Sequence, residues 1–209
     1  MQGKVKGIWA VAGCVAFIAA TTIASGATRP RVIEAAYDGL PVTPPTPSII
    51  FVCHGFGCKY RAELDLTASD RARLAHLLAA GKSSAAAERK AVGAAGAWFD
   101  RRVGPVAGTV NHVARAGMKY MNDIQQFDCI DSSRNTTSLL LVLDQLNLLR
   151  YHDVDVPEAR GYMFDLRPPH STAVLVERAS DTKWAIDSWT VGYGQPLEIM
   201  PLERWKTLD

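Results

Sequence analysis

Apolar positions in the second half of the chain recur at intervals of three and four. Leu139, Val142, Leu143, Leu146 and Leu149 fall on one stripe, while Asp144, Gln145 and Asn147 face elsewhere. That period predicts a helix from Ser132 to near Arg150, and its apolar density marks it as the buried central helix of a domain. After it the period changes. Ala159 to Leu166, Ser171 to Arg178 and Lys183 to Trp189 read as three strands, and the polar run Ala179-Ser180-Asp181-Thr182 reads as the hairpin turn between the last two. Strands that follow a buried helix predict an α+β domain with an antiparallel sheet.

The first half has the same two periods. Ser48 to Cys53 is an apolar strand run, followed by His54-Gly55-Phe56-Gly57. From Cys58 to Leu66, Tyr60, Ala62, Leu64 and Leu66 alternate with charged residues, the pattern of a half-buried strand. The two runs predict a hairpin. Cys53 and Cys58 flank its turn, so a disulfide can close it; a zinc site on Cys53, His54 and Cys58 lacks a second ligand pair. His54 reads as a turn residue. Thr67 to Ala80 predicts a helix capped by Thr67 or Ser69. A longer Ala-rich helix starts at Ser83 or Ser84, carries Val92, Ala95, Trp98 and Phe99 on its stripe, and is expected to end at Gly104-Pro105. Arg101 and Arg102 suit its C-terminus through the helix dipole and need no partner. Residues 105–128 show no regular pattern, and His112 within them reads as a surface or satisfied core histidine.

The N-terminus reads as a leader. Lys4 and Lys6 precede a mostly apolar run from Ile8 to Ile23, and Ser25-Gly26-Ala27 offers small residues for cleavage after Ala27. Residues 1–27 are therefore expected to be a signal peptide, with an uncleaved membrane anchor as the alternative; the apolar run before Cys14 is too short for lipoprotein processing. Residues 28–48, with five prolines, predict an extended arm or linker without a helix. Residues 49–209 are left as one domain of ordinary size. The expected location is secreted or periplasmic, where Cys53 and Cys58 would pair and Cys129 would be left over. The chain has 209 residues and a formal net charge of +2, with no basic block, which argues against a nucleic-acid partner.

The leftover cysteine stands at the centre of the candidate chemistry. Cys129 lies where the central helix begins, and a helix N-terminus favours the thiolate. His170 opens one strand and Asp187 closes the next. A histidine beside a thiol takes its proton, and a carboxylate on the other ring nitrogen fixes the tautomer. If the hairpin centre falls between Arg178 and Ala179, His170 and Asp187 stand directly opposite on one face. Asp128 and Asp131 pull the other way, because nearby carboxylates raise a thiol pKa unless they are engaged in capping the helix.

Asp128-Cys129 before a helix, His170 before Ala173-Val174-Leu175-Val176-Glu177, and Trp184-Ala185-Ile186-Asp187-Ser188 together resemble the transglutaminase-like superfamily, and more nearly its bacterial transglutaminase-like cysteine peptidases. The likeness covers roughly residues 120–205. It implies a papain-like core, with N-terminal helices and a buried Cys-bearing helix packed on an antiparallel sheet. It implies Cys129 as nucleophile, His170 as base and acid, and Asp187 as orienter. Ser171 departs from the aromatic that often follows the histidine, and Ile130 separates Cys129 from the nearest following acid. An oxyanion hole would need the Cys129 N–H and a second donor; Gln125, Gln126 and Asn111 are the candidates. The expected activity is a secreted cysteine hydrolase, peptidase or amidase, working through a thioester. The alternatives are transfer to an amine, as in a transglutaminase, and a silent domain that binds a peptide or a cell-envelope protein. No metal or cofactor is expected, the expected partner is a protein or peptide substrate, and the chain is expected to be a monomer that meets membrane only through its leader. Trp184, Trp189, Tyr193 and Trp205 read as core first and cleft second.

Overall fold

The structure is a computed structural model that describes residues 25–39, 42–161 and 168–208. Residues 1–24 of the expected leader, and the part of the expected strand beyond Gly161, lie outside the described residues. The elements run α1 (Ser25–Tyr37), β1 (Ile49–His54), β2 (Tyr60–Asp65), α2 (Ala68–Ala79), α3 (Ala85–Ala107), a 3-10 turn (Met118–Tyr120), α4 (Cys129–Gln145), β3 (His152–Arg160), β4 (His170–Glu177), β5 (Lys183–Asp187), β6 (Glu198–Pro201) and α5 (Leu202–Thr207). The result is α+β, with an antiparallel sheet in the order β3-β4-β5-β6 and a separate β1–β2 hairpin. Among the described residues no helix is long and apolar enough to cross a membrane.

α4 is the axis of the molecule. It packs on β1 on one side and on β3, β4 and β5 on the other. Leu139, Leu140, Leu141, Val142 and Leu143 are all buried, so this half of the helix is apolar all round. Its first half is buried but polar, and most of those groups are satisfied. Asn135 Oδ1 accepts the Cys53 N–H and its Nδ2 donates to the Cys53 carbonyl, both at 2.8 Å. Asn135 thereby serves β1 as a neighbouring strand would. α4 ends at Gln145 instead of near Arg150, because Asn147 turns the chain into the left-handed region at φ 54°.

Three further boundaries differ from the sequence reading for physical reasons. The expected arm at 28–48 begins as helix α1, in spite of Pro30. Val32, Ala36 and Tyr37 bury against the body of the protein, and that burial outweighs the local cost of the proline. α3 runs through Gly104-Pro105 to a left-handed cap at Gly108. Pro105 cannot donate to the Arg101 carbonyl, and the Tyr193 hydroxyl donates to it instead at 3.3 Å. Gly104 leaves room for that ring: a Cβ there would lie 2.6 Å from Tyr193 Cε2. β3 begins at His152, well before Ala159, and Pro157 sits where the β3–β4 register shifts between Asp155 and Glu158. Arg101 and Arg102 do have partners: Arg101 donates to the Gly194 carbonyl and Arg102 pairs with Asp70 at 3.2 Å. β6 and α5 have no counterpart in the sequence reading.

Thr67 caps α2 in a reciprocal capping box with Asp70, and Ser84 caps α3. The Cys53–Cys58 disulfide forms, with Cα atoms 4.4 Å apart. It removes both thiols from the zinc alternative. His54 is the last residue of β1, and its Nδ1 meets the Ile124 carbonyl at 2.8 Å.

Candidate active site

Cys129 is the first residue of α4, and Asp128 is its N-cap. Asp128 Oδ1 accepts the Asp131 N–H at 2.7 Å and Oδ2 accepts the Gly57 N–H at 2.8 Å. Asp131, fully buried, accepts the N–H groups of Phe56 and Cys58. Gly55, Phe56, Gly57 and Cys58 all have positive φ; the N–H groups of Phe56, Gly57 and Cys58 converge in a nest that grips the two carboxylates, and that of Gly55 donates to the Gln126 carbonyl at 2.9 Å. The disulfide loop thus holds the start of the helix that carries Cys129. Asp128 does cap, as the sequence allowed. Burial, then the charge of Asp128, pushes the Asp131 carboxyl up to about 7.

His170 and Asp187 meet. Nε2 of His170 lies 2.6 Å from Asp187 Oδ2, with both residues buried. The register differs from the one expected. Ala173 pairs with Ile186 and Val174 with Ala185, so the hairpin centre lies one residue later than assumed. That displaces the pairing of β4 and β5 by two residues, which keeps His170 and Asp187 on the same face and makes them diagonal neighbours. Asp187 is further fixed by the Trp205 indole N–H, 2.9 Å from Oδ2, and by the Trp189 N–H, 3.1 Å from Oδ1. The imidazole is in tilted contact with two indoles, with ring centroids 4.7 Å from Trp189 and 5.3 Å from Trp205.

Cys129 and His170 line one pocket of about 370 Å³, with Ser171, Ile130, Ser133 and Arg134. The thiol lies against the backbone on both sides of His170. Its Sγ is 3.9 Å from the Pro169 carbonyl, and the N–H of Ser171 points at it. His170 Nδ1, the nitrogen not facing Asp187, is buried and has no hydrogen-bond partner among the described residues. The thiol and the imidazole share a pocket without a hydrogen bond between them. Burial pushes the Cys129 thiol above its ordinary value; the Ser171 N–H and the thiol's own N–H oppose this, and the Asp128 and Asp187 charges add to it.

The three oxyanion candidates are placed elsewhere in role. Gln126 is buried, its Oε1 accepting the Val113 N–H at 2.9 Å and its Nε2 donating to the Asn111 carbonyl at 3.3 Å. It ties down the 111–113 loop. Gln125 and Asn111 are exposed, and neither lines the Cys129 pocket. His112 is a satisfied core histidine, 3.0 Å from the Asp100 carboxylate and in ring contact with Phe127 and Tyr193. It borders a separate cavity of about 40 Å³. Trp184 stacks under the Arg89 guanidinium, away from the pocket. Sequence reasoning missed the role of Trp205, which reaches the site only because α5 packs on β5. It also missed Ser133 and Arg134, whose place four and five residues after Cys129 was the available signal.

Among the described residues no group of three or more His, Cys, Asp or Glu side chains is arranged to hold a metal ion. Comparison with protein families, curated proteins and solved structures finds no match to this chain.

Proposed function

We propose that the protein is a cysteine hydrolase, a peptidase or amidase, with Cys129 as nucleophile, His170 as general base and acid, and Asp187 as orienter. One observation carries the reading: Asp187 holds His170 by Nε2 and leaves Nδ1 buried and unpartnered, and His170 lines the same pocket as Cys129, the only free cysteine among the described residues. A histidine with one free ring nitrogen in the same pocket as a thiol is what a Cys–His site requires before substrate arrives. The order Cys, His, Asp on helix start, strand and strand supports a papain-like core of transglutaminase-like type.

In this reaction Cys129 Sγ bonds to the carbonyl carbon of an amide while its proton passes to His170 Nδ1. The tetrahedral intermediate collapses, the C–N bond breaks, and the leaving amine takes the proton from His170. Water then attacks the thioester and gives a proton to His170; the C–S bond breaks and the thiol recovers that proton. The Cys129 N–H at the head of α4 is one donor for the oxyanion. An amine in place of water would give transamidation by the same steps. The raised thiol pKa favours a second reading, a silent peptide-binding domain of the same fold, because a thiol that stays protonated is a poor nucleophile. A secreted or periplasmic location remains part of the proposal, and the Cys53–Cys58 disulfide supports it.

The test is the rate of iodoacetamide alkylation of Cys129 against pH in the folded protein, beside His170→Ala. The hydrolase reading expects alkylation well below pH 8 and a loss of about tenfold or more in the variant at pH 6.5. Alkylation only on unfolding, or at equal rates in both proteins, would select the silent domain.

A further inference from the structure

The pocket of Cys129 contains a permanent cation. Arg134 lines it and is half-buried, and among the described residues it has no ion pair or side-chain hydrogen bond. Ala35, Ala36, Pro157 and Ala159 give the lining a small, apolar side, and among the described residues no acidic residue borders the pocket. Arg134 does act on the Tyr37 hydroxyl, but burial pushes that phenol up to about 12, so it stays neutral and cannot balance the guanidinium. A second group points the same way. Ser133 lines the pocket, is nine-tenths or more buried, and its Oγ has no hydrogen-bond partner among the described residues. A guanidinium and a hydroxyl that line one pocket, both without a partner among the described residues, have the donor set for a carboxylate: a planar fork of N–H groups plus one O–H.

The position relative to the thiol is set by the helix. Ser133 and Arg134 follow Cys129 by four and five residues, a rise of about 6–7.5 Å along α4. We propose that Arg134 and Ser133 form a carboxylate-binding subsite one turn from the nucleophile, and that the site acts on peptides with an Asp or Glu beside the scissile bond. The inference rests on the hydrolase reading of Cys129 and His170. Without a carboxylate bound, the subsite leaves a buried hydroxyl unsatisfied and a cation partly desolvated, costs that an acidic substrate removes and a neutral one does not.

The probes are iodoacetate and iodoacetamide, which deliver the same carbon to the thiol and lose iodide, differing only in carboxylate against amide. Their rate ratio on the folded full chain, normalised to free cysteine, is expected to favour iodoacetate by about tenfold at low salt. In Arg134→Met the ratio should fall by most of that factor, because the iodoacetate rate drops far more than the iodoacetamide rate; Arg134→Lys should retain part of the ratio. Should Arg134→Met not fold, Arg134→Gln replaces it, keeping length and polarity without charge. If iodoacetamide labels rapidly below pH 8 but the ratio ignores Arg134, the subsite is wrong and the hydrolase reading stands. If iodoacetamide labels only unfolded chain, the hydrolase reading fails and takes the subsite with it.

Discussion

Asp187 uses both carboxylate oxygens on donors that matter to the site. Oδ2 takes His170 Nε2 and the Trp205 indole, and Oδ1 takes the Trp189 N–H. Its charge also raises the Cys129 thiol, as does that of Asp128. The two carboxylates therefore make opposite predictions. Asp187→Asn removes a like charge but lets the imidazole adopt the wrong tautomer, so alkylation at pH 6.5 should slow by about tenfold or more. Asp128→Asn removes a like charge and still caps the helix, so alkylation should quicken by a few-fold, about what a fraction of a pKa unit gives. If both variants were faster, Asp187 would be acting only as a charge and the proposed role as orienter would be lost. On the proposed reading Trp205 acts through Asp187: Trp205→Phe keeps the ring against His170 but deletes the donor, and it should shift the pH profile of alkylation without changing its plateau.

At the scale of elements, the joint between the disulfide loop and α4 is where sequence and structure part company in an instructive way. The β1–β2 hairpin, the disulfide, α2 and the β4–β5 pair were legible because each is written in a local period or a flanking pair. That His170 and Asp187 would meet was legible too, because their common face survives a two-residue error in register. What was not legible depends on distant partners. α1 looks like an arm until Val32 and Tyr37 find the core, and α3 passes Pro105 because Tyr193, 88 positions later in the chain, supplies the lost hydrogen bond. Four-residue β6 and six-residue α5 are too short to show a period. The grip of the loop on Asp131 was equally invisible, and it has a measurable consequence. The Asp131 carboxyl sits at about 7 in the fold, so the folded chain holds a proton that the unfolded chain, at about 3.9, releases. Its contribution to stability is fully present below about pH 4 and is lost as pH rises to about 7. The urea midpoint of Asp128→Asn, compared with wild type at pH 5 and 7.5, should show a flatter pH dependence, because one cause of the raised value is gone. Histidine titrations are common to both proteins and cancel in that comparison. Parallel curves would mean that Asp131 is ionised in the fold at both pH values.

Across the whole molecule, the pocket is assembled from segments far apart in sequence. α4 supplies the thiol, β4 the imidazole, β5 the carboxylate, α5 the indole that holds it, and α1 a wall through Ala35 and Ala36. α1 is fastened by apolar burial and by Arg29, which pairs with Asp144 in the last turn of α4. That pair is partly exposed and contributes at most about 1 kcal/mol, so it orients α1 more than it holds it. On the proposed reading, α1 borders the way to Cys129 without contributing a catalytic group. Ala35 is exposed and lines the pocket, so a large side chain there can narrow the mouth without disturbing the core. In Ala35→Trp, alkylation by a bulky maleimide should slow by about tenfold, a barrier increase of about 1.4 kcal/mol, while iodoacetamide and the thermal midpoint change little. Equal slowing of both reagents would mean that the substitution disturbs the thiol itself. No slowing of either would mean that substrate reaches Cys129 from the side of Pro169 and Ser171, with α1 no part of the entrance.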